Sequence, residues 1–251
     1  MSTDSAHRVG VLVKHNAILR LRDPGQIISY LFLPMVVMLV FKPLYVRALG
    51  NGTVHVVTGP LIMFSVFTLA IIGNSILVER EWRTWDRLRT SSCSAFELLL
   101  GKTVPIFLIL VCQQALLLVY GCLVVGLPIP RSLGLVAVAV LVWSLTLLAI
   151  GSALATILRS HAEMGLVSDV GAIVVSALGG ALVPVSLMPG WARFAAHGSP
   201  GYWALSMLQA AVRGDTMGTV RPAGILLAIA LAAGGFAIWR MARGWGRSDL
   251  L

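Results

Sequence analysis

The sequence has few charged side chains. Of its 251 residues, 12% are Asp, Glu, Lys or Arg and 58% are hydrophobic. An ordinary soluble domain carries about 25% charged residues. This deficit argues against a soluble fold and predicts a chain that lies largely within a lipid bilayer.

Cysteine is also scarce, with only Cys93, Cys112 and Cys122 in the chain. Three cysteines without metal-type spacing fit neither a disulfide framework nor a zinc site. The first ten residues contain no apolar stretch, so we expect no cleaved signal peptide.

Ionisable groups are almost absent from the apolar stretches. Asp169 is the only carboxylate that falls within one, and we place it about one turn inside the fifth span, near its cytosolic end. No nucleophile with its base, no carboxylate pair and no metal-ligand cluster can be assembled at one depth. The pattern argues against an enzyme and against an ion-coupled carrier.

A phosphate-binding loop is missing as well. Gly101-Lys102-Thr103 resembles the end of such a loop, but Phe96 stands where the motif requires glycine. We therefore expect this chain to bind no nucleotide or other cofactor, and energy for uphill transport would have to come from a partner.

What the sequence has instead is six apolar stretches of membrane-spanning length. They predict an all-α integral membrane protein, a single transmembrane domain over residues 1–251. Pro34 and Pro184 predict kinks in the first and fifth spans. The six spans are placed at residues 27–44, 57–78, 104–126, 133–158, 166–187 and 222–242.

The basic residues predict how these spans are oriented. With both termini in the cytosol, the cytosolic segments hold 13 of the 19 basic residues and the external segments hold 6. Cytosolic loops of membrane proteins gather Lys and Arg. This assigns most of the net charge of +9 to membrane topology and argues against a nucleic-acid partner.

One long charged segment, residues 79–103, follows the second span. On a helix, Val78, Trp82 and Trp85 fall on one side, and arginines 80, 83 and 87 form a stripe on the other. Such a helix lies at the membrane surface and presents a charged face to a cytosolic partner. The alternative is a basic loop that only sets the topology.

A second segment, residues 188–221, separates the fifth and sixth spans. It contains Trp191, Tyr202 and Trp203, and residues 198–201 divide it into two helix-like pieces. Aromatic residues of this kind anchor helices at membrane surfaces. We expect short re-entrant helices in the outer leaflet, with a solvated loop as the alternative.

Three motifs resemble the membrane subunits of type-2 ABC exporters, close to the daunorubicin/doxorubicin-resistance permeases. The first is Arg22-Asp23-Pro24 before the first span, with Pro34 inside it. The other two are a charged motif after span two and a Pro- and aromatic-rich motif after span five. They read Glu79-Arg80-Glu81, Thr84, Leu88, Glu97 and Gly101-Lys102, and then Pro184, Met188-Pro189-Gly190-Trp191, Pro200 and Tyr202-Trp203.

This resemblance implies one half of an exporter in the plasma membrane, of the bacterial inner-membrane type. Two copies, or one copy and a sister permease, would enclose the path, and two cytosolic ATPase subunits with ATP and Mg would drive it. The N-terminal segment 1–26 would form an interfacial helix beside a cytosolic coupling helix. The coupling residues would be Glu79, Arg80, Glu81, Arg83, Thr84, Asp86, Arg87 and Leu88.

The resemblance also implies a path lined by spans one, two and five. Its candidate residues are Phe64, Phe67, Asn74 and Ser176, for which ordinary helix packing is the alternative. The cargo would be a hydrophobic or amphiphilic compound such as a drug, an antibiotic or a lipid-linked molecule. Three positions depart from the family pattern: Arg83 replaces glycine, Ser92 replaces proline, and Gln209 replaces a common arginine.

Two other functions remain open from the residues. A stand-alone membrane carrier or scaffold would work without an ATPase and would depend on Asp169 as its intramembrane charge. A membrane-embedded enzyme acting on lipid would need a reactive cluster that the sequence does not show.

Overall fold

The computed structural model of the protein describes residues 10, 13, 25–50, 52–81 and 95–243. Within these residues the chain is helical and contains no strand. The helices, in chain order, are α1 (Gly25–Ala48), α2 (Gly52–Val66), α3 (Thr68–Glu81), α4 (Ala95–Tyr120), α5 (Leu133–Ile157), α6 (His161–Leu178), α7 (Gly190–Ala196), α8 (Pro200–Arg213) and α9 (Thr216–Ala242).

Six segments in the described ranges are long and apolar enough to cross a membrane, as the sequence predicted. The second combines α2 and α3 and is interrupted at Phe67, and the third continues from α4 through a π-helical turn, Gly121–Val125. The segments are Ser29–Ala48, Gly52–Val78, Gly101–Val125, Leu133–Ile157, His161–Leu178 and Thr216–Ala242.

The fifth span differs from the prediction at both ends. It begins at His161 because the Ser160 hydroxyl accepts from the backbone N–H of Glu163 and caps the helix. It ends at Leu178 because Gly179 and Gly180 follow, and Gly180 has a φ of +87° that favours glycine. Pro184 therefore lies outside the helix, and the predicted kink there is wrong. Pro34, in contrast, lies inside α1.

These boundaries also change the position of Asp169 within the fifth span. It is the ninth residue of the 18 in α6, which puts it about 12 Å from the helix start at 1.5 Å per residue. The expected position, one turn inside the span, was wrong because five residues before Leu166 are also helical.

The core of the bundle surrounds α5. This helix packs against α3, α4, α8 and α9, and its Trp143 is only 1% exposed. The helices come close where glycine replaces a larger side chain. A Cβ atom on Gly151 of α5, for example, would lie 2.9 Å from the Cβ of Ile72 in α3.

The bundle has two distinct ends. At the α3–α4 end, α3 finishes and both α4 and α6 begin. At the α1–α2 end, α1 finishes, α2 begins, and the chain leaves α6 toward α7 and α8. The prediction that the α3–α4 end is cytosolic is not tested by the helix arrangement.

Candidate functional site

The charged segment after the second span lies at the α3–α4 end. The backbone of Glu79, Arg80 and Glu81 forms the last turn of α3, and α4 resumes the chain at Ala95. The remaining coupling residues, Arg83, Thr84, Asp86, Arg87 and Leu88, lie outside the described residues. The described part shows that the segment joins the ends of the second and third spans.

Two hydrogen bonds connect three spans at the edge of this segment, to which Lys102 itself belongs. The Lys102 ammonium donates to the Ser75 carbonyl at 2.6 Å, which joins α4 to α3. The His161 ring contacts the Asn74 amide oxygen at 2.8 Å, which joins α6 to α3. Because an amide oxygen only accepts, Nδ1 of His161 donates in this contact. We call Asn74, Ser75, Lys102 and His161 the span junction.

The four residues predicted for the substrate path do not share one surface. Phe64 is 5% exposed and Phe67 half-buried, with ring centroids 5.8 Å apart at the α2–α3 interruption. Asn74 belongs to the span junction, and Ser176 is fully buried with no hydrogen-bond partner for its hydroxyl. Within one copy of the chain, Phe64, Asn74 and Ser176 contribute to helix packing.

A polar cavity lies at the α1–α2 end, with a volume of about 220 Å³. It is bounded by α2, by the irregular segment after α6 and by α8. Polar groups from all three reach it. The lining residues include His55, Gly180, Ser186, Tyr202, Ser206 and Gln209.

Gln209 is the centre of the hydrogen bonding beside this cavity. Its Nε2 donates to the Thr58 hydroxyl at 3.2 Å and to Nδ1 of His55 at 3.3 Å. His55 is 6% exposed and stacks obliquely on Tyr45, with ring centroids 5.1 Å apart. The Tyr45 hydroxyl in turn donates to the Leu182 carbonyl. These contacts tie α1, α2 and α8 to the segment after α6.

The end of α6 crosses the start of α8 at two glycines. A Cβ on Gly201 would lie 2.6 Å from the Val175 carbonyl oxygen, and a Cβ on Gly179 would lie 2.8 Å from the Gly201 carbonyl carbon. The backbones therefore touch without side chains between them. Ser199, which caps α8, also donates to the Val175 carbonyl at 3.0 Å.

From the sequence, Gln209 stood out only as a departure from a family pattern, and neither Tyr45 nor His55 was predicted to belong to a site. His55 carried a usable signal, because a histidine at the start of an apolar span needs a polar partner. Tyr45 carried none, since its partner is a backbone carbonyl 137 residues away.

The described side chains form hydrogen bonds between helices, but they form no cluster suited to covalent chemistry. Among the residues that the structure describes, no three His, Cys, Asp or Glu side chains cluster as metal ligands would. The Gln113 and Gln114 amides of α4 donate across helices, to the Tyr30 carbonyl at 3.1 Å and to the Ser144 hydroxyl at 2.8 Å.

Comparison with protein families gives a match to one of them. Residues 7–212 match the family described as ABC-2 type transporter. A search of curated proteins found no match. The matched region includes the first five spans, the charged segment, the cavity and the span junction. Because it covers most of the chain, the protein belongs to the ABC-2 type transporter family, the multi-pass membrane permeases that associate with an ABC ATPase and are not themselves catalytic.

Proposed function

We propose that this chain is the permease subunit of an ABC exporter that moves a hydrophobic or amphiphilic compound out of the cell. A separate ATPase subunit, holding ATP and Mg, would supply the energy. The observation that supports this most is the family match together with a charged segment at one end of the bundle. The resemblance to daunorubicin/doxorubicin-resistance permeases supports export of a drug-like or antibiotic molecule, and a role in multidrug efflux, at a bacterial inner membrane.

The coupling surface would be the charged segment, with Glu79, Arg83 and Arg87 among its contacts to the ATPase. Hydrogen bonds at the span junction support this role, because Lys102 and His161 connect the ends of spans two, three and five. A push on the segment would therefore reach three spans as one rigid-body movement. Two copies of this chain, or one copy and a sister permease, would form the path with two ATPase subunits.

Affinity purification in mild detergent tests the assembly. We expect an ABC ATPase to co-elute with the tagged chain at a 1:1 ratio. A permease that inserts and purifies normally but never recovers an ATPase would contradict the proposal and favour the stand-alone carrier or scaffold.

Charge reversal tests the coupling surface. Arg83→Glu with Arg87→Glu should reduce recovery of the ATPase by roughly tenfold, a change of about 1.4 kcal/mol in binding. Glu79→Ala should leave insertion intact and abolish ATP-driven uptake of a lipophilic dye by inside-out vesicles. Arg213→Glu is the matched control, since this exposed arginine ends α8, between spans five and six. Equal losses in control and test variants would rule out a specific coupling role.

A further inference from the structure

Asp169 occupies an unusual position for a carboxylate. It is exposed near the centre of α6, about 12 Å from the start and about 13.5 Å from the end of the helix by the rise per residue. It forms no hydrogen bond or ion pair within the part of the chain that the structure describes. A charged group inside a span costs several kcal/mol when it faces lipid, so we expect a polar partner on the exposed side of α6 at Asp169.

The neighbours of Asp169 on that side are apolar. Leu166, Ile173 and Val174 are 65%, 52% and 47% exposed, and Val170 beside Asp169 is 51% exposed. Spacings of three and four residues place them on one helix face with the carboxylate in the middle. The face therefore offers one negative charge within an apolar strip.

Among the described residues, no lysine or arginine forms an ion pair with Asp169, and none lies near the middle of a span. The described lysines and arginines within spans all lie within two turns of a span end. They are Lys42, Arg47, Lys102, Arg221 and Arg240. Within the described residues Asp169 therefore has no cationic partner, and its counter-charge has to come from outside them.

We infer that Asp169 binds the cationic group of an amphiphilic cargo, while Leu166, Val170 and Ile173 contact the apolar part of the same molecule. The inference rests on the proposed exporter function and narrows its cargo to lipophilic cations. Binding a cation at the membrane centre removes the cost of the bare charge, and the apolar strip selects against small hydrated ions.

An inorganic cation fits this site less well. Hard cations in proteins are bound by several oxygen ligands. Asp169 supplies two oxygens, and its exposed neighbours on the face supply none. The Ser168 hydroxyl next to it in the chain is fully buried and therefore does not belong to this exposed face.

Two ions of equal size and opposite charge test the inference. Tetraphenylphosphonium and tetraphenylborate differ mainly in the sign of their charge, so a carboxylate site distinguishes them and an apolar surface does not. We expect the purified complex in lipid nanodiscs to bind tetraphenylphosphonium, and Asp169→Asn to weaken that binding about tenfold. Tetraphenylborate binding should stay unchanged or increase in the same variant.

Glu163→Gln is the matched control. This carboxylate is also exposed on α6, but it lies in the first turn, where it accepts from the backbone N–H of Arg159. We expect no change in the affinity of either ion. Unchanged phosphonium binding in Asp169→Asn, an equal loss for both ions, or displacement of the phosphonium by sodium would each overturn the inference.

The outcome is separable from that of the proposed function. If no ATPase co-purifies and phosphonium binding still depends on Asp169, the exporter proposal fails and the cation site remains. If the ATPase co-purifies and Asp169→Asn leaves phosphonium binding unchanged, the cation site is ruled out and the exporter proposal stands.

Discussion

Polar side chains inside the bundle pair with each other between helices. The indole N–H of Trp143 in α5 donates to the Ser65 hydroxyl of α2 at 2.7 Å, and both residues are buried. The Thr146 hydroxyl, one turn further along α5, lies 2.8 Å from the Val142 carbonyl of its own helix and 3.3 Å from the Leu226 carbonyl of α9. Such bonds within membranes contribute about 0.6 kcal/mol on average and at most about 1.7 kcal/mol. They set the rotation of each helix more than they hold the bundle together.

We expect a coupling free energy of about 1 kcal/mol between Ser65 and Trp143. Ser65→Ala leaves the indole N–H buried and unpaired, whereas Ser65→Ala with Trp143→Phe removes both partners. The measurement is unfolding of the single and double variants in mixed micelles of mild detergent and sodium dodecyl sulfate. Strictly additive losses would show that the hydrogen bond contributes nothing.

The Tyr45 hydroxyl should restrain the segment that follows α6. Tyr45→Phe keeps the ring and removes only the bond to the Leu182 carbonyl. Residues 179–187 should then exchange their amide hydrogens several-fold faster, as measured by mass spectrometry. Tyr202→Phe is the control, because the Tyr202 ring contacts His197 and Trp203 and its hydroxyl makes no hydrogen bond to another described residue. Equal exchange in both variants would contradict the restraint.

Helix packing depends on where glycine allows two helices to approach. At Gly151 the neighbouring helix leaves no room for a side chain, while a Cβ on Gly224 of α9 would have no atom within 4 Å. Both are glycines inside a membrane-spanning helix, and only their surroundings differ. Packing therefore decides which of them tolerates substitution.

Gly151→Val should lower the free energy of unfolding by about 2 kcal/mol, because overpacking a filled interface costs about 1–3 kcal/mol. Gly224→Ala should cost nothing and gain helix propensity. Thermal unfolding of the detergent-solubilised protein distinguishes the two. A Gly151 variant as stable as the Gly224 variant would show that α3 and α5 do not approach as closely as described.

For the molecule as a whole, the two ends of the bundle hold different features. The α3–α4 end joins the charged segment to the span junction, and the α1–α2 end holds the polar cavity around Gln209. The spans between them link the two ends mechanically. In the proposed exporter, the ATPase moves the α3–α4 end, and the spans transmit this movement to the α1–α2 end.

The count of basic residues predicts that both termini face the cytosol. A green fluorescent protein fused after Leu251 should therefore fluoresce, and alkaline phosphatase fused at the same place should be inactive. Phosphatase inserted in the turn before Ser132 should be active, since that turn lies between spans three and four. The opposite pattern of reporter activity would show that the topology is inverted and that the charged segment lies outside the cell.

Much of the fold was accessible from hydropathy because each span must bury its own backbone polar groups in lipid. The six spans were therefore found. Residues 188–221 hold the helices α7 and α8, and the prediction that they re-enter the outer leaflet stays a prediction. Local caps were missed. Ser160 begins α6 and Asp215 begins α9, and both spans consequently start earlier than the apolar pattern suggested.

Of the candidate site, the sequence alone determined the class of protein and the place of the charged segment in the chain, because composition and short motifs carry that information. Only the tertiary structure decided that Asn74 pairs with His161, that Tyr45, His55 and Gln209 meet at one end, and that Asp169 stands exposed at mid-helix. Those facts depend on which face each helix turns toward its neighbours. Contacts between residues far apart in the chain set that rotation, and hydropathy averaged along the chain does not record it.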